Sequence, residues 1–342
     1  MGSNFDLNLV DSYDYTLPPN LIANAPVMPK EAARLLVYER ESDKISHAKF
    51  GDLAEILPPC DIIFNDTKVV KARIFGQKTS GGKIELLLNS PLGENKFSAY
   101  IKGRVSVASE LVFDENLRAV VCECHDDGLR VVKFSQNGRE LGTHEIFEIL
   151  GRIGHVPLPP YIKRADSKDD ESWYQSIFAR ENGAVAAPTA SLHFSEKMVD
   201  DLRVGHEIYY ITLHVGAGTF KPVEVSDIRE HKMHAEYYTV PENTAEILRS
   251  NRAILGVGTT VTRTVENFAR NKKRHGACEL FLHPGNPPMR QNFLLTNFHL
   301  PKSTLIMLVA GFIGLEKTLE IYQKAVDMKY RFYSYGDGMI IL

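Results

Sequence analysis

Apolar and polar positions along the chain alternate in two different ways. Residues 34–39 and 61–65 read as strands, and 50–57 between them carries apolar side chains at helical spacing. From 69 to 134 the pattern becomes a series of short β-type runs, at 69–75, 84–88, 97–101, 119–124 and 129–134. Gly- and Asn-bearing turns separate them and no helical stretch intervenes, so five or six strands at this spacing predict a small β-barrel or sandwich. Helix–strand alternation returns after Gly138. Helices are predicted over 195–202 (with Ser195 as cap), 242–249, 261–270, 303–313 and 315–329, and strands over 208–215, 253–257 and 279–282. The expected architecture is an α/β (mixed α+β) main domain built from both chain ends, residues 1–66 plus 141–342. A small all-β barrel over 67–140 is inserted into it.

Three runs break both periodicities. They are 186–194 (AAPTASLHF), 212–222 (TLHVGAGTFKP) and 296–304 (TNFHLPKST). Gly and Pro fix unusual backbone geometry, while the interleaved His, Thr and Asn bring donors and acceptors that packing does not require. Eight of the twelve histidines lie between His193 and His299, which predicts one assembled active site. A lone histidine is ordinarily a packed or surface residue. Three in this company, His193, His214 and His299, are expected to include an acid or base, because imidazole titrates near neutrality.

Four other stretches carry candidate chemistry. In 253–263 a strand leads through Gly256-Val-Gly258-Thr259-Thr260 into a helix, which suits a ribose, phosphate or carboxylate at the helix start. The dinucleotide fingerprint is incomplete because Val261 stands at its third glycine position, and a glycine turn with a threonine cap is the plainer alternative. His231, His234 and Glu236 have a His-x-x-His pair plus a carboxylate, and with His214 they form the basis of a rival reading, a metal-dependent hydrolase. No further ligand has diagnostic spacing, so a metal-free polar cluster is expected. Ser191 lacks the Gly-x-Ser-x-Gly setting of a hydrolase nucleophile. The tail 331–339 (RFYSYGDGM) holds Arg331, Asp337 and aromatics, and its apolar end predicts docking against the fold.

Charge and composition narrow the class. A net charge of −3 gives no global attraction to nucleic acid, so an RNA partner must be held by local patches. One such patch is 68–83, with Lys68, Lys71, Arg73, Lys78 and Lys83 and no acidic residue, and a second is 270–275. Such runs are ordinarily solvated faces, but two of them on a nearly neutral chain fit phosphate contacts in a groove. A non-catalytic RNA-binding module is the second rival, and it leaves the three polar runs unexplained. Four scattered cysteines without a CxxC pair argue against a disulfide framework or a zinc site and for a reducing cytoplasm. Residues 3–14 are acidic and polar, unlike a secretory leader, and the apolar run 305–313 is half a membrane span, so no membrane is expected.

Taken together, these runs resemble the S-adenosylmethionine:tRNA ribosyltransferase-isomerase family of queuosine biosynthesis. The resemblance covers essentially the whole chain, from 13–18 through 61–73, 81–85, 186–194, 212–223, 231–236, Gly258-Thr-Thr260, Arg263 and 296–308 to 330–337. Ser191 and Gly311 stand where that family usually has Gly and Ala, and Lys68 where Arg is common. The resemblance implies transfer and isomerisation of the ribosyl part of S-adenosylmethionine onto 7-aminomethyl-7-deazaguanine at the tRNA wobble position. The products are epoxyqueuosine, adenine and methionine. S-adenosylmethionine is then a consumed substrate, with no metal and no other cofactor, in a cytoplasmic monomer. Candidate acids and bases are His193, His214, His231, His234, Glu236, His299 and Asp337. Candidate S-adenosylmethionine contacts are Gly216, Gly218, Thr219, Gly258, Thr259, Thr260, Arg263 and Asn297, and candidate tRNA contacts are Lys68, Lys71, Arg73, Lys83 and Arg331.

Overall fold

The computed structural model describes residues 5–220 and 222–342; residues 1–4, and Lys221 of the 212–222 run, lie outside the described residues. The main domain is organised on a nine-stranded sheet. Its order is His275–Cys278, Glu236–Thr239, Ile208–Leu213, Asp61–Asn65, Ile254–Val257, Phe293–Asn297, Gly338–Ile341, Arg34–Glu39 and Lys44–Lys49. The four strands from Ile208–Leu213 to Phe293–Asn297 are parallel, and Gly338–Ile341 runs against them. Asp61–Asn65 and Ile254–Val257 are buried along their length because both faces are covered, so apolar residues run through them without alternation, whereas Ile208–Leu213 is buried only at Ile211 and Leu213.

The pleat divides their side chains between two cores. Ile62, Phe64, Leu255 and Val257 pack with Met198, Val199 and Leu202 of helix Glu196–Arg203. Ile63 and Ile254 face the other way, onto Ala245, Leu248, Val261, Val265 and Phe268 of helices Glu242–Arg249 and Thr259–Asn271. Helices Thr304–Ile313 and Leu315–Asp327 form a third core with Leu36, Leu294 and Met339. Ser195 and Ser303 cap two of these helices, accepting from the Met198 and Ile306 N–H groups.

In the chain, between Asp61–Asn65 and Ile208–Leu213, comes a closed six-stranded antiparallel barrel. It consists of Arg73–Lys78, Lys83–Gly93, Lys96–Lys102, Glu110–Phe113, Arg118–Cys124 and Leu129–Gln136, and the last pairs with both Lys96–Lys102 and Arg118–Cys124 to close the ring. Its interior is apolar, and Ile146, Ile149 and Leu150 of helix Thr143–Ile153 pack into it. No helix among the described residues is long and apolar enough to cross a membrane.

Several elements differ from the sequence reading. The expected strand over 69–75 is two: Thr67–Val69 pairs with Glu181–Ala184 outside the barrel, and Arg73–Lys78 enters it. The chain leaves the first pairing at Val70 and joins the second at Arg73, a handover that a continuous β-type run cannot show. The strand expected at 279–282 is instead the preceding His275–Cys278, while Phe293–Asn297, Gly338–Ile341, Lys44–Lys49 and Glu110–Phe113 were not anticipated. Segment 50–57 is a 3-10 turn, Phe50–Asp52, followed by one α-turn, Leu53–Ile56.

Candidate active site

The four central parallel strands end at one edge of the sheet; Ile208–Leu213 and Phe293–Asn297 continue into two of the irregular runs, and Ile254–Val257 into the glycine turn at Gly258. Asp61–Asn65 ends at Asn65, Ile208–Leu213 at His214, Ile254–Val257 at Gly258 and Phe293–Asn297 at Asn297 and His299. This is the edge where open α/β sheets bind ligands. Asn65 ties two of the ends together: its amide Nδ2 donates to the Leu213 carbonyl at 2.9 Å and to Thr260 Oγ1 at 3.3 Å, and its Oδ1 accepts from the Leu213 N–H at 3.0 Å.

At this edge lies a cavity of about 590 Å³, within the roughly 300–1,000 Å³ of small-molecule sites. Its walls are 186–190, Val215 and Thr219 of the second run, 258–260, most of 296–305, and Tyr333 with Ser334 from the tail. Helix Thr259–Asn271 begins at the wall. Its N-cap is Gly258, at φ +94°, a conformation open to glycine, and no side chain caps it. Two larger residues on the wall also have left-handed backbone, Lys302 at φ +55° and Tyr333 at φ +70°. Such conformations in bulky residues cost of order 1–3 kcal/mol each and gather at binding sites.

The three histidines take different positions. His299 lines the cavity. Its backbone N–H donates to Tyr322 Oη at 3.1 Å, its backbone carbonyl accepts from Tyr15 Oη, and its ring Nε2 lies 2.9 Å from Thr296 Oγ1. Burial pushes its pKa down to about 3. His193 lies one layer behind, stacked on Phe50 at 4.0 Å. The Asn297 amide Nδ2 donates both to the Asp337 carbonyl and to His193 Nε2, at 3.4 and 3.1 Å, and Asn297 Oδ1 accepts from Thr189. The Asp337 carbonyl can only accept, which fixes the amide orientation and makes Nε2 the acceptor nitrogen. Burial, then the charges of Arg331 and Lys30, push the His193 pKa down to about 3 as well. His214 bonds to Thr67 Oγ1 through Nδ1 at 2.8 Å, and burial lowers its pKa. A Cβ on Gly183 would come within 2.8 Å of that ring, so the glycine admits it.

The remaining candidates are bound up with other partners. Glu236 pairs with Arg263 in a buried ion pair and accepts from the Gly216 N–H at 3.2 Å. Arg263 also donates to the Leu280 and Cys278 carbonyls. Asp337 accepts from the backbone N–H groups of Arg34 and Arg331 and meets the Arg331 guanidinium at 3.4 Å. His231 lies edge-on to Phe281 and His234 is exposed, its ring against Gly218. The 231–235 segment is irregular rather than helical, so the pair does not share a helix face. Among the described residues no three His, Cys, Asp or Glu side chains converge to hold a metal, so the hydrolase reading finds no ligand set.

Of the basic candidates, Lys71 pairs with Glu171 and Arg73 with Glu85, each at 2.8 Å. Lys68 and Lys83 are exposed, and neither makes an ion pair among the described residues. Lys68 and Lys71 line a second cavity of about 500 Å³ beside helix Thr143–Ile153. Tyr174 lines both cavities. Sequence reasoning missed Tyr161, Tyr174, Asn65 and Asn89. Asn89, from the barrel, accepts from the Ala217 N–H at 2.9 Å and so touches the glycine-rich run. None of these carried a local motif, apart from Asn65 closing a strand.

Fold and site together define an α/β protein with a small-ligand cavity at its strand ends and a β-barrel inserted beside it. The chain belongs to the queuosine biosynthesis protein family, whose pattern it matches over residues 10–341. It is 63% identical to a Campylobacter fetus protein named S-adenosylmethionine:tRNA ribosyltransferase-isomerase, over 98% of this chain and 99% of that one. A Nitratiruptor protein of the same name is 57% identical, over 97% and 98%. The crystal structure of an S-adenosylmethionine tRNA ribosyltransferase from Thermotoga maritima is similar, at TM-score 0.54 and 32% identity, covering 97% of this chain and all of that one.

Proposed function

We infer that this chain is an S-adenosylmethionine:tRNA ribosyltransferase-isomerase with S-adenosylmethionine seated in the 590 Å³ cavity. It transfers and isomerises the ribosyl part of that substrate onto 7-aminomethyl-7-deazaguanine at the tRNA wobble position, giving epoxyqueuosine, adenine and methionine. One observation carries the placement: runs far apart in sequence, 186–190, 258–260, 296–305 and the tail, meet at the same strand edge. S-adenosylmethionine is consumed, since its ribosyl carbons end in the product.

The chemistry calls for removal of a proton next to the sulfonium, a donor to the departing adenine, and an uncharged attacking amine. Among the described residues no Asp or Glu lines the cavity, and His299 is the lining histidine. It is neutral at physiological pH, and a sulfonium beside it disfavours the imidazolium further. His299 therefore acts as a hydrogen-bonding group or a transient proton carrier that hands its proton on. Thr296, Tyr322 and Tyr15 hold His299, His193 and Asp337 hold Asn297 on the wall, and Glu236 with Arg263 holds the glycine-rich run in place.

For the RNA, Lys68 and Lys83 offer free charge, and the cavity beside Lys68 and Lys71 shares Tyr174 with the first. Phosphates held at the lysines would lead a base toward Tyr174. The reading places the chain in the cytoplasm with its tRNA, acting as a monomer. The test is incubation with S-adenosylmethionine and precursor-bearing tRNA, followed by nucleoside mass analysis. Mass gain to epoxyqueuosine with stoichiometric adenine release is expected, and an unchanged nucleoside overturns the reading.

A further inference from the structure

Tyr333 combines three features on the cavity wall. It is 5% exposed, its hydroxyl is buried without a hydrogen-bond partner among the described residues, and its backbone is left-handed. A buried phenol left unpaired costs about 1–3 kcal/mol, and the left-handed backbone of a bulky residue adds to this. Tyr335, two residues on, shows the ordinary solution, with its hydroxyl donated to Asp170 at 2.8 Å. The Tyr333 ring stacks on Tyr161, centroids 4.4 Å apart and planes within 28°, and the Tyr161 hydroxyl is tied to Ser334 Oγ at 2.5 Å. All three residues line the cavity, together with Pro160. The result is a fixed aromatic corner holding one unused hydrogen-bonding group.

We propose that this corner is the purine subsite of the cavity, with the Tyr161–Tyr333 pair packing against the flat ring and the Tyr333 hydroxyl bonding a ring nitrogen or the exocyclic amine. The proposal rests on the reading that the cavity holds S-adenosylmethionine. Of that molecule's parts, the sulfonium is drawn to aromatic faces but neither donates nor accepts a hydrogen bond, so it leaves the hydroxyl unsatisfied. Ribose hydroxyls can pair with the phenol but have no π-face. The purine supplies both, and burial keeps the phenol protonated, able to donate as well as accept. Tyr333 is thus a specificity-determining residue, and its place on the tail gives the docked C-terminus a task at the site.

The test is calorimetric binding of S-adenosylmethionine, S-adenosylhomocysteine and adenosine to the full chain and to Tyr333→Phe, which keeps the stack and removes only the hydroxyl. Loss of one hydrogen bond predicts a fall of about fivefold to tenfold, equal for all three ligands because all carry the purine. Tyr333→Leu, which also removes the stack, is expected to lose about tenfold or more. A loss confined to S-adenosylmethionine would put the sulfonium at the corner and overturn the proposal, as would unchanged affinity in both variants. Thr304→Trp, which fills the cavity from the start of helix Thr304–Ile313, separates the two levels. If it abolishes binding while both Tyr333 variants bind normally, the purine lies elsewhere in the cavity. If binding survives it too, the cavity reading itself fails.

Discussion

The barrel and the sheet edge treat polar groups in opposite ways. Within the six barrel strands Ser98 is the buried polar residue, and the interior is otherwise aliphatic and aromatic. Charged side chains there stay outside and pair across strands, as Arg73 does with Glu85. In the main domain the buried set includes Asn65, Asp66, Thr67, His193, Glu236, Arg263, Asn297, His299 and Asp337. Each needs partners, because an unpaired buried polar group costs more than a made hydrogen bond returns. The barrel therefore keeps its interior apolar and its charges at its surface. The sheet edge instead holds polar groups in fixed positions around the cavity, tied by hydrogen bonds and ion pairs.

The largest expected effect comes from breaking the main domain's buried charge pair. Arg263→Ala leaves Glu236 buried without its cation and should cost about 3–5 kcal/mol in urea unfolding. A loss below about 1 kcal/mol would mean that the pair is not shielded from water. Next is His299→Asn, which should lower turnover at least about 10²-fold with little change in melting temperature or tRNA affinity. Activity losses that merely track stability would show that His299 is structural.

The link between the two regions is weaker. Asn89→Ala strands the Ala217 N–H and should cost about 1–3 kcal/mol, with a parallel loss of S-adenosylmethionine affinity. Stability loss without any affinity loss would show the barrel to be uncoupled from the cavity. Reversing Lys83 on the barrel and Lys68 just outside it to Glu should weaken tRNA binding and reduce its salt slope by about 0.7–0.9 for each phosphate no longer neutralised. S-adenosylmethionine affinity should not move. An unchanged slope would place the RNA groove on the 270–275 cluster instead.

A further effect is a pH dependence belonging to the sheet edge. His193 and His299 lie near about 3 in the fold against an ordinary 6.5. Between these values the unfolded chain binds more protons, so stability is full above about pH 6.5 and falls as pH drops toward 3. The slope is about 1.4 kcal/mol per pH unit for each histidine. Urea midpoints at pH 7 and pH 5 measure it, and His193→Asn should remove one histidine's share. An identical pH dependence in that variant would mean that His193 is not held neutral.

The sequence by itself determined the family, the two-part architecture and the stretches that build the site. Gly, Pro and polar groups breaking an apolar pattern are local signals, and they need no knowledge of distant neighbours. Period and composition likewise distinguished barrel from α/β segments, though not where 67–69 hands over to Arg73–Lys78, since that depends on which strand lies alongside. Phe293–Asn297 and Gly338–Ile341 were hidden for the same reason: short buried strands have no amphipathic pattern, and only their sheet neighbours define them. Tertiary structure alone decided that His299 meets the cavity while His193 stacks behind it on Phe50. It also turned Glu236 and Asp337, read as candidate bases, into carboxylates held by arginines and backbone N–H groups. A side chain's protonation and role follow from burial and from the charges packed against it, and those come from residues far away along the chain.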